Sequence, residues 1–283
     1  MTTNFEHCAA LVREADRDRY LATLFAPARH RDALFALYAF NVEISRVRDL
    51  AREPMPGEIR LQWWREALGG ERDSEAAAHP VAAALRETLA RHKIASDRLI
   101  ALIDAHSFDL YDEPMLSFAE LQGYAARTTG VVFELAIQIL GGAMDSVVVK
   151  HAGNAGYAHA IANILTRLPI HSSRRQLYVP LEALHEHGAR EEDFFALQPT
   201  KEVRGAVAAM WVRARGHLAS VSNVGLRIPQ IAWPAFLPLA PLRPLLFRMS
   251  RPDYDPFRPA HVSLVHRQWR IWRAAKNLSR MAR

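Results

Sequence analysis

The sequence predicts an all-α protein, and three observations carry that prediction. Apolar residues recur every three to four positions along most of the 283-residue chain, the spacing of one helix face. Glycines and prolines fall between these stretches, where helices stop and start. No run of useful length alternates apolar and polar residues as a half-buried strand would. There is no internal repeat and no low-complexity linker. Residues 1–283 are therefore read as one domain, with 260–283 a basic amphipathic C-terminal helix.

The first long helix is expected over 32–50, with Leu34, Leu37, Tyr38, Phe40 and Ile44 on one side and Pro54 and Pro56-Gly57 beyond its end. A second covers 59–67 and stops at Gly69-Gly70. A third runs from Pro80, whose missing N–H costs nothing at a helix start, to Arg91. Ser96-Asp97 should cap a helix reaching about Tyr111, and Ser117 with Glu120 has the spacing of a capping box before 121–128. The strongly apolar stretch 131–140 terminates at Gly141-Gly142, and a long helix over 146–168 is interrupted at Pro169. Helices near 191–196, 201–222 and 241–249 precede the last one, 261–283. The most apolar stretch, 231–247, holds Pro234, Pro238, Pro241, Pro244 and Arg243, which rules out a spanning helix and predicts a kinked connector packed on the body.

The net charge of +6 favours anionic partners such as phosphorylated small molecules or acidic lipid headgroups. Nucleic acid is not expected, because no helix-turn-helix, RNP or zinc-finger pattern accompanies the charge. The one cysteine, Cys8, excludes an internal disulfide framework and a thiolate zinc site, and fits a reducing compartment. Residues 1–6 show no basic segment leading into an apolar one, and no eighteen-residue apolar run occurs. The expected location is cytoplasmic, in solution or peripheral to the inner face of the membrane.

Two stretches carry the chemistry: FALYAFNVEISRVRD at 35–49 and NILTRLPIHSSRRQLYVP at 163–180. They resemble the two signature helices of the squalene/phytoene synthase family. Asp18-Arg19-Tyr20-Leu21-Ala22, Phe25-Ala26-Pro27, the Tyr124 to Gly130 spacing and Ala155-Gly156 extend the resemblance over roughly residues 8–250. It implies an isoprenoid-synthase-type helical bundle around a central apolar cavity, in which two prenyl diphosphates are joined head to head. In such a site, carboxylates at i and i+4 share a helix face. Two facing pairs hold Mg²⁺ ions that bridge to the diphosphate.

This sequence departs from that pattern at the carboxylates. The aligned positions hold Ser45 and Asp49 on the first helix, and Arg167 and His171 on the second. One carboxylate and one guanidinium cancel, and a guanidinium at 167 repels a cation at short range. No catalytic residue, metal ligand or cofactor is therefore expected. Glu43, two residues before Ser45, points about 160° away around the helix and is a poor substitute.

The same alignment offers Tyr38, Asn41, Asn163, Arg174, Arg175 and Tyr178 as phosphate or ligand contacts. Arg174 and Arg175 stand where the family's basic pair meets phosphate, and with Arg167 could hold an anionic headgroup without metal. The other reading of this pair is a solvated basic turn. His159 and His171 lack a third ligand and read as packing residues, while Glu182, His185, Glu186 and His187 read as a solvated helix end before Gly188. Trp63, Trp64 and Trp211 read as core anchors, although two neighbouring helix positions cannot both face one core fully. On the last helix Arg267, Arg270, Arg273, Lys276, Arg280 and Arg283 are placed on one side, with Leu264, Ile271, Ala275 and Leu278 on the other. That helix either lies on an anionic membrane surface or packs with a solvated basic face.

AFNVEI, LQWWREAL, HGAREEDF, RPDYDPF and the T-R-x-P-x-H pattern at 166–171 are most similar to one branch of the family. That branch comprises a mitochondrial complex I assembly factor with a squalene/phytoene synthase-like domain and its bacterial relatives. The resemblance implies a catalytically degenerate protein that helps assemble respiratory NADH dehydrogenase, with complex I subunits or assembly intermediates as partners and a lipid or isoprenoid as ligand. The alternative is an active prenyltransferase of the squalene/phytoene synthase type, which would use Mg²⁺ and need a shifted register or replacement metal ligands.

Overall fold

A computed structural model describes residues 3–51, 53–223, 228–258, 260 and 262–276, and no strand occurs among them. The chain opens with α1 (Asn4–Ala15), started by reciprocal capping bonds between Thr3 and Glu6, and α2 (Arg17–Thr23), capped by Asp16. In α3 (Ala28–Ser45) every residue from Ala33 to Phe40 is buried, the pattern of a helix enclosed on all sides. It starts earlier than expected and breaks at Arg46, where φ is −100° and ψ 1°, before the single turn α4 (Val47–Leu50). Ser45 and Asp49 therefore do not share one continuous helix face.

Next come α5 (Pro54–Gly69), α6 (Asp73–Ala78), α7 (Pro80–His92) and α8 (Asp97–His106). Proline begins α5, so the breaker that follows α3 is also the initiator of the next helix. Ser96 makes no side-chain cap bond, and a 3₁₀ turn, Ser107–Leu110, completes the span expected of α8. Only half of the expected capping box forms at α9 (Phe118–Ala125): the Ser117 hydroxyl accepts from Glu120 N, but Glu120 Oε2 accepts from Leu116 N.

A π turn, Ala126–Gly130, leads into α10 (Val131–Ile139), which Gly141 ends with φ at 78°. The enclosed α11 (Ser146–Thr166) crosses that π turn closely: a Cβ on Gly156 would lie 2.5 Å from Gly130 Cα. The break before α12 (Leu168–Ser173) falls at Arg167 rather than at Pro169. A proline ring crowds the carbonyl four residues back and removes a donor, so the helix yields ahead of it.

The remaining elements are α13 (Leu181–His187), α14 (Glu191–Phe195), α15 (Lys201–Asn223), α16 (Trp233–Phe236), α17 (Leu242–Met249) and α18 (Leu264–Lys276). Helices α1, α2 and α6 are additional to those the sequence predicts, and α13 is the helix whose end was expected before Gly188. His185, Glu186 and His187 are solvent-exposed. The connector is broken as its prolines dictate, alternating 3₁₀ turns with α16 and α17, and most of it is buried. Trp64 is buried, while Trp63 is half-buried and donates to Glu75, so the adjacent pair divides as expected.

The faces of α18 differ from those predicted. Arg267 turns inward to pair with Asp18, and Arg270 donates to Ala240 O, while Leu264 is exposed. Ile271 and Ala274 form the buried contact. Leu278, Arg280 and Arg283 lie outside the described residues.

Candidate functional site

A cavity of about 980 Å³ opens between α1–α2, α3–α4, α11–α12 and the start of α18. Its aliphatic wall is limited to residues such as Val42, Ala160, Ile164, Leu242, Leu245 and Val262. Seven arginines and five carboxylates also line it: Arg17, Arg19, Arg46, Arg48, Arg167, Arg174 and Arg267 with Glu14, Asp16, Asp18, Asp49 and Asp109. The difference is two positive charges. The expected central cavity is present, but it is apolar over only part of its surface.

The two signature helices meet at Asp49. Arg167 Nη2 lies 2.7 Å from both carboxylate oxygens, and Arg174 Nη1 donates to Oδ1 at 2.6 Å. Partial burial pushes the Asp49 carboxyl up, but the bonds and charges of the two arginines outweigh it and hold it below the usual range. The breaks at Arg46 and Arg167 make this clasp possible, because each delivers its residue from a short turn rather than from a rigid long helix.

The other positions aligned with the family's carboxylates are spent differently. Ser45 donates back to Val42 O of its own helix. His171 packs its ring 4.7 Å from that of Tyr178, and its buried Nδ1 has no hydrogen-bond partner. Burial, followed by the charge of Arg167, pushes the imidazole down to about 4, so it is neutral at pH 7.

A second cluster lies on the wall beside His171. The buried carboxylate of Asp109 accepts from Tyr124 at 2.8 Å and Tyr178 at 2.7 Å, and its Oδ2 is 2.6 Å from His106 Nδ1. Gln176 donates to the Asp109 carbonyl. Burial, reinforced by the Asp109 charge, holds both phenols well above their ordinary value, so they remain donors. Sequence reasoning missed Asp109, which stands in no motif. The signal that could have found it is that Tyr124 and Tyr178, each in a stretch that resembles the family, converge on one carboxylate.

Asn41 and Asn163 also line the cavity, and the Asn163 amide lies 3.1 Å from His159 Nδ1. Tyr38 does not line it: buried in α3, it lies beneath the Arg19 guanidinium. Arg175 also sits outside, on a left-handed turn with φ at 58°, its guanidinium 4.5 Å from the centre of the Phe195 ring. Of the predicted basic pair, only Arg174 reaches the cavity.

These residues do not fit Mg²⁺, which takes oxygen ligands in a near-octahedral set. The one aligned carboxylate is neutralised by two guanidinium groups, and its neighbours are a hydroxyl bonded to backbone and a neutral imidazole. Among the described residues no group of three or more His, Cys, Asp or Glu is arranged to hold a metal ion. A phosphate group presents to these arginines the same kind of paired acceptor oxygens as the Asp49 carboxylate.

Fold and site together define a helical protein of the isoprenoid-synthase type with an arginine–carboxylate clasp at its signature helices. A profile described as squalene/phytoene synthase matches residues 12–272, and the chain belongs to that family. It is 33% identical over 273 residues to the NADH dehydrogenase (ubiquinone) complex I assembly factor 6 of Rattus norvegicus, covering 93% of this chain and 81% of that one. It is 26% identical to phytoene synthase 3, chloroplastic, of Zea mays, covering 91% and 62%. The squalene synthase HpnC from Alicyclobacillus acidocaldarius shares its fold with a TM-score of 0.76, at 23% identity over 90% of this chain and 95% of that one.

Proposed function

We propose that this chain is a catalytically degenerate member of the squalene/phytoene synthase family that aids assembly of respiratory complex I. In this reading its cavity is a metal-independent receptor for a phosphate-headed lipid or isoprenoid. One observation carries the reading: Asp49, the one carboxylate left at the aligned positions, is clasped by Arg167, which stands at another of them, and by Arg174. In the reaction that the family resemblance implies, Mg²⁺ held by carboxylates neutralises the diphosphate leaving group. A guanidinium pair binds such an anion without metal. The similarity to relatives named as complex I assembly factors supports the assembly role.

Two measurements test this together. A strain lacking the protein should lose assembled NADH dehydrogenase and regain it on expression of the full chain. Purified protein incubated with farnesyl or geranylgeranyl diphosphate, Mg²⁺ and reductant should form no C30 or C40 hydrocarbon beside an active family control. Metal-dependent product would replace this reading with the prenyltransferase one, and unchanged complex I would remove the assembly role.

A further inference from the structure

We infer that α18 is a membrane-docking helix that seats its tryptophans, rather than its arginines, in the surface of an anionic bilayer. Val265, Trp269, Trp272 and Lys276 follow one another at spacings of four, three and four, so they form a single stripe. That stripe faces outward: Val265 is 77% exposed, Trp269 45% and Trp272 46%. The opposite face is already used by the body, through Ile271, Ala274 and the Arg267–Asp18 pair.

The cations on the helix are placed to work with the indoles. The Arg273 guanidinium lies 5.2 Å from the centre of the Trp269 ring, and the Lys276 ammonium lies 3.8 Å from that of Trp272. Each pair presents an apolar body with a positive charge against it, the combination that settles at headgroup depth. The helix carries four basic residues and no carboxylate. An uncharged apolar partner would not match Arg273 and Lys276, whereas an anionic lipid surface suits both the indoles and these two cations. The apolar surface continues onto the neighbouring end of α2: Leu24 and Phe25 are exposed, and Phe25 and Ala275 line one crevice of about 380 Å³.

The placement has a consequence for the cavity. Leu264, in the first turn of α18, is exposed and also lines the large cavity, as does Arg267 one turn on. Docking through the stripe would bring the cavity rim down to the lipid surface. Among the described residues no helix is long and apolar enough to cross a membrane, so attachment of this kind is at the surface.

The test is co-sedimentation of the full chain with vesicles of phosphatidylcholine alone, and of phosphatidylcholine with about a third phosphatidylglycerol. Wild-type protein should pellet with the anionic vesicles and far less with the neutral ones. Trp269→Ser with Trp272→Ser should weaken that partitioning about tenfold or more, with the circular dichroism spectrum unchanged. Should that pair of changes lower the fold's stability, Val265→Asp, at the most exposed position of the stripe, should reduce binding in the same direction. Arg273→Glu with Lys276→Glu should abolish the preference for anionic lipid. Undiminished binding by folded tryptophan variants would overturn the proposal. So would wild-type protein that stays in the supernatant with both vesicles, which would assign the stripe to a protein partner. Vesicle binding requires neither complex I nor a ligand in the cavity, so it can fail independently of the assembly reading.

Discussion

Replacing Asp49 with asparagine removes one charge and little volume, and leaves Arg167 and Arg174 facing each other without a counter-ion. Asp49 is 21% exposed, and the two arginines are 40% and 35% exposed. The cost therefore lies between the roughly 0–1 kcal/mol of an exposed pair and the roughly 3–5 kcal/mol of breaking a buried one, or about 2 kcal/mol. In a chain of this length that lowers the melting temperature by about 4 °C. Arg167→Met alone should cost less, because Arg174 still holds the carboxylate. The double variant should show a coupling of about 1 kcal/mol. Inorganic pyrophosphate provides the complementary arm, since the freed arginines form a better anion site. At ten times its Kd it would add about 1.4 kcal/mol to the Asp49→Asn variant by mass action, and less to the wild type, where Asp49 competes. Melting curves with and without pyrophosphate read all of these quantities. Additive single costs, or equal protection of wild type and variant, would refute the clasp.

Two further outcomes follow from the packing and the buried imidazole. A Cβ at Gly156 would also meet Gly130 N at 2.7 Å, both contacts being backbone, so Gly156→Ala should destabilise by about 2 kcal/mol. Gly153→Ala, on the same helix with nothing within 4 Å, should be neutral or stabilise by up to about 1 kcal/mol, and equal melting temperatures for the two variants would contradict the close crossing. His171 titrates at about 4 in the folded chain against 6.5 when unperturbed, so the unfolded chain binds more protons between those values. Stability should therefore fall as the pH drops from 6.5 toward 4, by up to about 3 kcal/mol from this residue. His171→Phe should flatten the dependence of melting temperature on pH in that window, and an unchanged slope would show that His171 is not buried as a neutral ring.

Much of the fold was legible because helices are local. The period of apolar residues, Pro80 and Pro169, and the glycine pairs at 69–70 and 141–142 each act within a few positions, and the predicted elements follow them closely. The misplacements share that origin. Nothing within a few residues of Arg46 signals the break after Ser45, and the effect of Pro169 reached back to Arg167. The site was legible only as an alignment. Ser45, Asp49, Arg167 and His171 could be named in advance, but whether Asp49 stood free or was neutralised depended on side chains 118 and 125 positions away. Asp109 shows the same limit, its partners coming from Tyr124 and Tyr178 across the bundle. Composition placed six basic residues on one side of the last helix. Docking against α2 then turned Arg267 inward and left Trp269 and Trp272 in solvent.

The sequence by itself determined the helical class, the family and which residues stand in its two signature stretches, since these reside in local period and in residue identity. Only the tertiary structure decided which charges cancel, which tyrosines share a proton acceptor and which helix face remains open. Those outcomes depend on distances of about 3 Å between groups that the chain holds far apart in sequence.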